Sequence, residues 1–480
     1  MDYKSIFKLV SLIGITLGIF FLSDILIGVI YKESFNTFMI FDFIFIFINL
    51  IILITLRNHT ITLKIRESIL TVNILWILLG VAGAIPLLLY THVSFASAFF
   101  KAISGFTTTG ATIYQDIESL PHMILFHRSL MHWLGGMGVI VLGIGLLSVI
   151  NPTGSLSLFK AESTGIQMEK LTPKIKDTAL SLWVVYILFT LADTLLLKFF
   201  GMNWFDAINH AFSTISTGGF STKNSSLGSF NNDGIIWTTT FFMILSGINF
   251  LAHLKFFYKD NSGYKSEEVQ WYLLMFFILG ATLTIVHTKI WGDTIYDASK
   301  HAFFTIASVM TTTGFATVDY GKWSQFAIAI IFIAMLIGGN AGSTAGGIKV
   351  VRHVIIFKTL FAEFKRILHP NALISIYIDK QNLKERVLST TFGFFFLFTM
   401  TVVFLSIYIY ARGFDTMTSI SGAIAIVGNI GPGFSHIGPA ENFSFFSNID
   451  KLVFSFGMIA GRLECFTVFI LFSKAFWKKF

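Results

Sequence analysis

Long apolar stretches alternate with short polar ones along the whole chain, and few of them are interrupted by a charge. Runs of about 20 apolar residues are long enough to cross a bilayer as helices. Two such runs come first, at 7–31 and 38–56. From about residue 68 the pattern becomes a unit that recurs four times: a spanning helix, a shorter semi-apolar segment, a Thr/Gly turn and a second spanning helix. The first unit has these at 68–91, 94–107, 108–112 and 123–149, and the second at 178–200, 204–215, 216–221 and 235–258. The third has them at 269–290, 297–311, 312–317 and 323–365, and the fourth at 386–411, 414–427, 428–433 and 449–476. Segments of about 12–14 residues are too short to span and read as re-entrant half-helices. The pattern predicts an all-α polytopic membrane protein, with four helix–pore helix–helix repeats whose turns can wall one pore. Its parts are an extra N-terminal helix pair (1–66) and repeats at 67–150, 151–260 (with a preceding cytoplasmic loop), 261–370 and 371–480.

Shared details support a true repeat. Phe205-Asp206-Ala207, Tyr296-Asp297-Ala298 and Phe414-Asp415-Thr416 open three of the short segments, where Asp is expected to cap free N–H groups. Phe95-Ala96-Ser97 opens the other, with Ser able to do the same. The turn glycines Gly110, Gly218, Gly314 and Gly431 recur at intervals of about a hundred residues.

Composition agrees with a membrane protein. The 480 residues are 54% hydrophobic and only 12% charged, against about 25% charged in soluble domains. No small-residue cleavage site follows 7–31, so that span is expected to be retained. The single Cys465 excludes an internal disulfide framework and predicts a buried, inert thiol. The net charge of +8 is read as the positive-inside bias, not as a nucleic-acid surface. It places both termini in the cytoplasm and the Thr/Gly turns on the external side. Lys101, Arg128 and Lys300 are then expected outside, and a basic segment at 349–386 inside. That segment is the largest cytoplasmic charge cluster, which the positive-inside bias alone would explain.

Irregular backbone at membrane depth is tolerated only where protein buries it or it lines water. Four turns at the ends of half-helices can meet at one axis and offer carbonyls in place of an ion's hydration shell. The candidate filter residues are Thr108, Thr109, Gly110 and Ala111; Ser216, Thr217, Gly218 and Gly219; Thr312, Thr313, Gly314 and Phe315; and Asn429, Ile430, Gly431 and Pro432. None is acidic. A field of neutral dipoles favours a large monovalent cation such as K⁺, held at the backbone carbonyls, over the divalent ions that seek carboxylates. The second turn reads Thr217-Gly218-Gly219 and the fourth carries Ile430 and Pro432, so the filter is not fourfold in chemistry.

Five glycines crowd the run Gly338-Gly339-Asn340-Ala341-Gly342-Ser343-Thr344-Ala345-Gly346-Gly347, which a helix would not sustain cheaply. It is expected to form a loop beneath the filter. Arg462 is expected near the middle of the last span, as an electrostatic barrier facing the pore. Glu464, two residues on, is a poor helical partner for it. Gly135-Gly136-Met137-Gly138 reads as helix packing, and Asp193 as an acid in a span, either a relay or a residue near its outer end. No nucleophile–base or metal constellation argues for an enzyme. The alternative to a channel-like pore is a proton- or sodium-coupled symporter with a midplane site.

Several motifs carry a resemblance: Leu158-Phe159-Lys160-Ala161-Glu162, Leu171-Thr172-Pro173, the glycine run at 338–347, His369-Pro370, Asn429-Ile430-Gly431-Pro432-Gly433 and Gly461-Arg462-Leu463-Glu464. On these, nearly the whole chain resembles the Trk/Ktr/HKT superfamily of potassium transporters, most of all its TrkH/TrkG family. The resemblance implies a fold of four helix–pore helix–helix repeats around a pseudo-fourfold pore, potassium uptake across the bacterial inner membrane, and an intramembrane loop at 338–347 that occludes the pore. It further implies a homodimer and a cytosolic TrkA-type regulatory ring binding NAD(H) or ATP/ADP, for which the basic segment 349–386 and residues 160–176 are the expected docking surface. Potassium is then the substrate, and no cofactor is expected in this chain.

Overall fold

A computed structural model describes residues 1–150 and 175–478. The motifs at 158–162 and 171–173 and the proposed docking residues at 160–174 lie outside the described residues. Helices run at Tyr3–Tyr31 and Asn36–Thr55 for the N-terminal pair, and at Ile65–Thr91, Phe95–Phe106 and His122–Ile150 for the first repeat. The incoming and pore helices of the other repeats are Ile175–Phe199 with Trp204–Ile215, Glu267–Trp291 with Ile295–Met310, and Glu385–Ala411 with Thr416–Val427. Six described helices are long and apolar enough to span by themselves, and two further bent pairs reach that length together.

The four pore helices start in one register. Ser94, Asn203, Thr294 and Asp415 are the N-caps, each accepting from the backbone N–H three residues on. Asp206 and Asp297 are therefore not the caps expected from the sequence. They lie in the first turn, where Asn203 Nδ2 donates to Asp206 and the Thr294 hydroxyl donates to Asp297. A carboxylate there still meets the positive end of the helix. Ser94 is the cap of the first, with Ser97 in the Asp206 position.

The repeats pack in a cycle. Each incoming helix lies on its own pore helix, and each outgoing helix lies on the pore helix of the next repeat. The outgoing helix of the fourth, Asn448–Arg462, packs on the pore helix of the first and closes the ring. Gly135 and Gly136 show why small residues are needed there. A Cβ on Gly135 would sit 1.9 Å from the Phe106 carbonyl oxygen, and one on Gly136 2.6 Å from Ser216 Cβ. The run is a packing contact against the ends of two pore helices.

The outgoing helices are not the continuous spans predicted at 235–258 and 449–476. The second breaks between Asp233–Ser246 and Phe250–Phe257 with a 96° bend, and the fourth between Asn448–Arg462 and Phe466–Phe472 with a 113° bend. The third breaks into Gln325–Ile337 and Val350–Leu368 around the glycine run. In the second, Asn249 starts the next helix by accepting from Leu251 N–H. In the fourth, Glu464 and Cys465 both take left-handed backbone angles, at φ 58° and 54°.

The N-terminal pair packs on the first repeat and leaves Phe43, Phe47, Ile51 and Ile54 exposed, as a lipid-facing helix requires. Two polar ties hold it. His127 Nδ1 and Asp24 Oδ2 lie 2.6 Å apart in full burial, and the other ring nitrogen lies 3.2 Å from the Gly83 carbonyl. At the link, the Glu33 carboxylate accepts from the N–H groups of His122 and Met123. It satisfies donors that the start of the next helix leaves free.

Candidate functional site: four turns in a ring and the loop beneath

Each pore helix ends at a C-cap: Thr107, Ser216, Thr311 and Gly428. The next residue is left-handed in every repeat: Thr108, Thr217, Thr312 and Asn429, at φ 54°, 55°, 57° and 56°. Two residues on stands a glycine, Gly110, Gly219, Gly314 or Gly431, at φ 83°, 80°, 83° and 95°. Between them, Thr109, Gly218, Thr313 and Ile430 donate their N–H groups back to residues 104, 213, 308 and 425.

This backbone corrects the register of the second turn. Its structural equivalent of Gly110 is Gly219, not Gly218, and the run matching Thr108–Ala111 is Thr217, Gly218, Gly219 and Phe220. Ser216 belongs with the C-caps. The doubled glycine left this open in the sequence, and only the backbone angle separates the two. The left-handed threonines are informative, because a β-branched residue rarely takes that conformation. Such residues cost on the order of 1–3 kcal/mol each and persist where the surroundings impose them, often at functional sites. Thr108, Thr217 and Thr312 are fully buried.

The four glycines face one another through carbonyls. A Cβ on Gly110 would lie 2.4 Å from the Gly218 oxygen, and one on Gly219 2.0 Å from that of Thr313. On Gly314 it would lie 2.2 Å from the Ile430 oxygen, and on Gly431 2.3 Å from that of Thr109. The order is first to second, second to third, third to fourth and fourth to first. All four glycines line one cavity of about 130 Å³ on the side away from the pore helices' C-caps, with Ala111, Phe220 and Pro432. Beyond it, Asn224 Nδ2 donates to Asp116, and this bond is the largest cause holding the exposed Asp116 carboxyl below its ordinary range.

Beneath the ring lies the glycine run, which is irregular from Gly338 to Lys349. Gly346 N–H donates to Thr312 Oγ1 at 2.6 Å, and a Cβ on Gly346 would lie 2.5 Å from the Gly428 oxygen. The Thr344 hydroxyl lies 3.0 Å from the carbonyl of Ile215 and 3.2 Å from that of Ser246. Asn340 N–H donates to Gly247, and Phe250 N–H to Gly342. The loop therefore touches the second, third and fourth pore-helix ends and leans on the break in the second outgoing helix.

Arg462 is not mid-helix. It is the last residue of Asn448–Arg462, at the bend, and its guanidinium donates to the Thr344 carbonyl at 2.9 Å. Arg462 lines a second cavity of about 60 Å³ with Ala345, Gly346, Gly347 and Lys349. Glu464 pairs instead with Arg352, which also lies over the Phe394 ring at 3.5 Å. Sequence reasoning missed three supports of the loop. Lys349 donates to the Ala345 carbonyl at 2.8 Å, Glu268 accepts from Ala341 and Val351 N–H, and the second helix breaks at Gly247. Only the pair Gly247 and Asn249 hinted at the last. Lys349 and Arg352 are buried, so the docking surface expected at 349–386 loses its first two cations. Lys358, also in that segment, pairs with Glu267.

Known proteins decide the family. A family model described as TrkH, cation transport protein, matches residues 34–479. The chain belongs to the TrkH family. It is 36% identical to the Trk system potassium uptake protein TrkH of Salmonella typhimurium, with all of both chains covered. It is 35% identical to TrkG of Escherichia coli K12, covering 88% of each. The fold matches the crystal structure of the potassium transporter TrkH from Vibrio parahaemolyticus with a TM-score of 0.90, at 32% identity over both full chains. TrkH-family membership makes this a multi-pass membrane transporter and not an enzyme.

Proposed function

We propose that the chain takes up potassium across the bacterial inner membrane, through the ring of turns acting as a selectivity filter. The observation that carries this reading is the closed cycle in which each turn glycine abuts a carbonyl of the next repeat. Such a ring offers neutral oxygens to a dehydrated monovalent cation. Inward movement of one charge gains about 2.3 kcal/mol per 100 mV, so accumulation needs no chemical step. The loop at 338–349 is the gate, since it fills the space under the turns, and Arg462 holds it closed through Thr344. Both termini face the cytoplasm, the protein is a homodimer, and a TrkA-type nucleotide-binding ring moves the loop. These last statements rest on resemblance and charge placement.

Purified protein in liposomes with a potassium gradient and a pH-sensitive dye tests the reading. Potassium flux with no matching proton movement is expected. Proton movement in fixed ratio to potassium would favour the symport alternative. Flux insensitive to Gly314→Ser would remove the filter.

A further inference from the structure

Two cations counted from the sequence as external are buried behind the ring. Lys101 is fully buried in the first pore helix, and Arg128 is 1% exposed in the outgoing helix of the same repeat. Lys101 Nζ lies 3.4 Å from the centre of the Phe220 ring, and the Arg128 guanidinium carbon 4.7 Å. Phe220 follows the filter glycine Gly219, and the His132 ring stacks on it at 3.8 Å. Lys101 also donates to the Ala111 carbonyl at 3.3 Å, and Arg128 to that of Ser221 at 3.4 Å. Among the described residues no carboxylate lies within ion-pair distance of either.

Aromatic faces and carbonyls therefore hold these cations in place of an acid. Buried charges are ordinarily paired or lost to neutralisation; the Arg128 guanidinium keeps its charge here, and Lys101 reinforces it only while protonated. The position of the pair is one-sided. Nine residues before the turn glycine, where the first repeat has Lys101, the others have His210, Thr305 and Gly422. Ala111 and Phe220 both line the cavity over the ring, and so does Arg128. The positive field thus reaches the outer end of the filter from the quarter shared by the first and second repeats.

We infer that Lys101 and Arg128 set the cation affinity of this filter, weakening its outer site so that a bound ion is released quickly inward. The inference rests on reading the ring as the potassium filter. A permeating cation is repelled by the pair through protein of low dielectric, where a charge–charge energy is larger than in water at the same distance. The first and second turns bind it less well than the third and fourth. In the third, the Phe315 carbonyl accepts from the Ser308 hydroxyl and meets no cation.

The test is rubidium uptake into proteoliposomes, with KM and kcat read separately. Arg128→Gln should lower KM for rubidium by about five- to tenfold, with a smaller fall in kcat, and Lys101→Gln should lower it by less. Lys101→Glu, which offers Arg128 a carboxylate, should lower KM further. A purely structural role does not tighten binding. Unchanged or raised KM in all three variants overturns the inference. So does failure of every variant to assemble, which would make the pair a packing element. Gly314→Ser is measured beside them. If it spares uptake, the filter reading itself falls. If it abolishes uptake while the Lys101 variants keep their KM, only the present inference falls.

Discussion

The ring of turns and the layer just beneath it are built from the same four repeats, yet they differ in kind. In the ring, backbone angles agree to within a few degrees for the left-handed residues, from 54° to 57°, although side chains vary between Thr and Asn. In the layer beneath, no two repeats agree. The first outgoing helix runs on from His122 to Ile150, the second bends by 96°, the third opens into a loop, and the fourth bends by 113°. Carbonyl ligation needs like geometry from every quarter. An obstruction needs only one quarter to enter the axis and the others to make room. On the proposed reading of the ring as filter and the loop as gate, duplication serves the first demand and divergence the second.

Variants can break this contrast, and the largest effect should come from the ring. Gly219→Ala places a Cβ at 2.0 Å from the Thr313 oxygen on a residue with φ 80°. Potassium flux in liposomes should fall by at least about 100-fold, given strain of about 1–3 kcal/mol plus the clash with backbone. Gly218→Ala needs no left-handed angle but would set its Cβ 2.2 Å from the buried His132 ring, so it should cost less flux than Gly219→Ala only by the backbone strain it avoids. Equal losses would return the register to an open question.

In the lower layer, removing residues 343–346 should raise flux by about tenfold and blunt its control, because the span that occupies the space under Thr312 is gone. Unchanged flux would remove the gate. Next comes Arg462. Its substitution by Ala should raise conduction several-fold. Arg462→Lys keeps the charge but not the fork that reaches Thr344. If Lys restores the wild-type rate, charge is what restrains the ion; if it behaves like Ala, the bond to the loop does. The smallest effect on flux is expected outside both layers. Asp24→Ala strips His127 of a fully buried partner and should lower the melting temperature clearly, while flux per folded molecule stays within about twofold.

Much of this was legible in the chain. The number of repeats, the half-helices and the turns could be read because each recurs with its own length and its Gly/Thr punctuation. The glycine run at 338–347 declared itself by composition. Other features left no such trace. Gly218 and Gly219 are adjacent and identical, so composition could not separate them. The bend at Leu463–Cys465 uses neither Pro nor Gly, and strained angles at Glu464 are imposed by packing and by its pairing with Arg352. Charges were the least readable. Counting them assigns sides of a membrane but no depth, and Lys101, Arg128, Lys349 and Arg352 were placed at surfaces although all four are buried.

The closing contact of the cycle, between Asn448–Arg462 and Phe95–Phe106, has a consequence for biosynthesis. Some 320 residues separate Gly110 from Gly431, roughly 15–60 s of translation at 5–20 residues per second. Until the last quarter arrives, Thr109 and Gly110 have no neighbour on one side. A chain stalled by the ribosome therefore carries three parts of a conduit and no conduit. On the proposed reading of the ring as a filter, the order in which the polypeptide is made keeps unfinished copies from leaking ions.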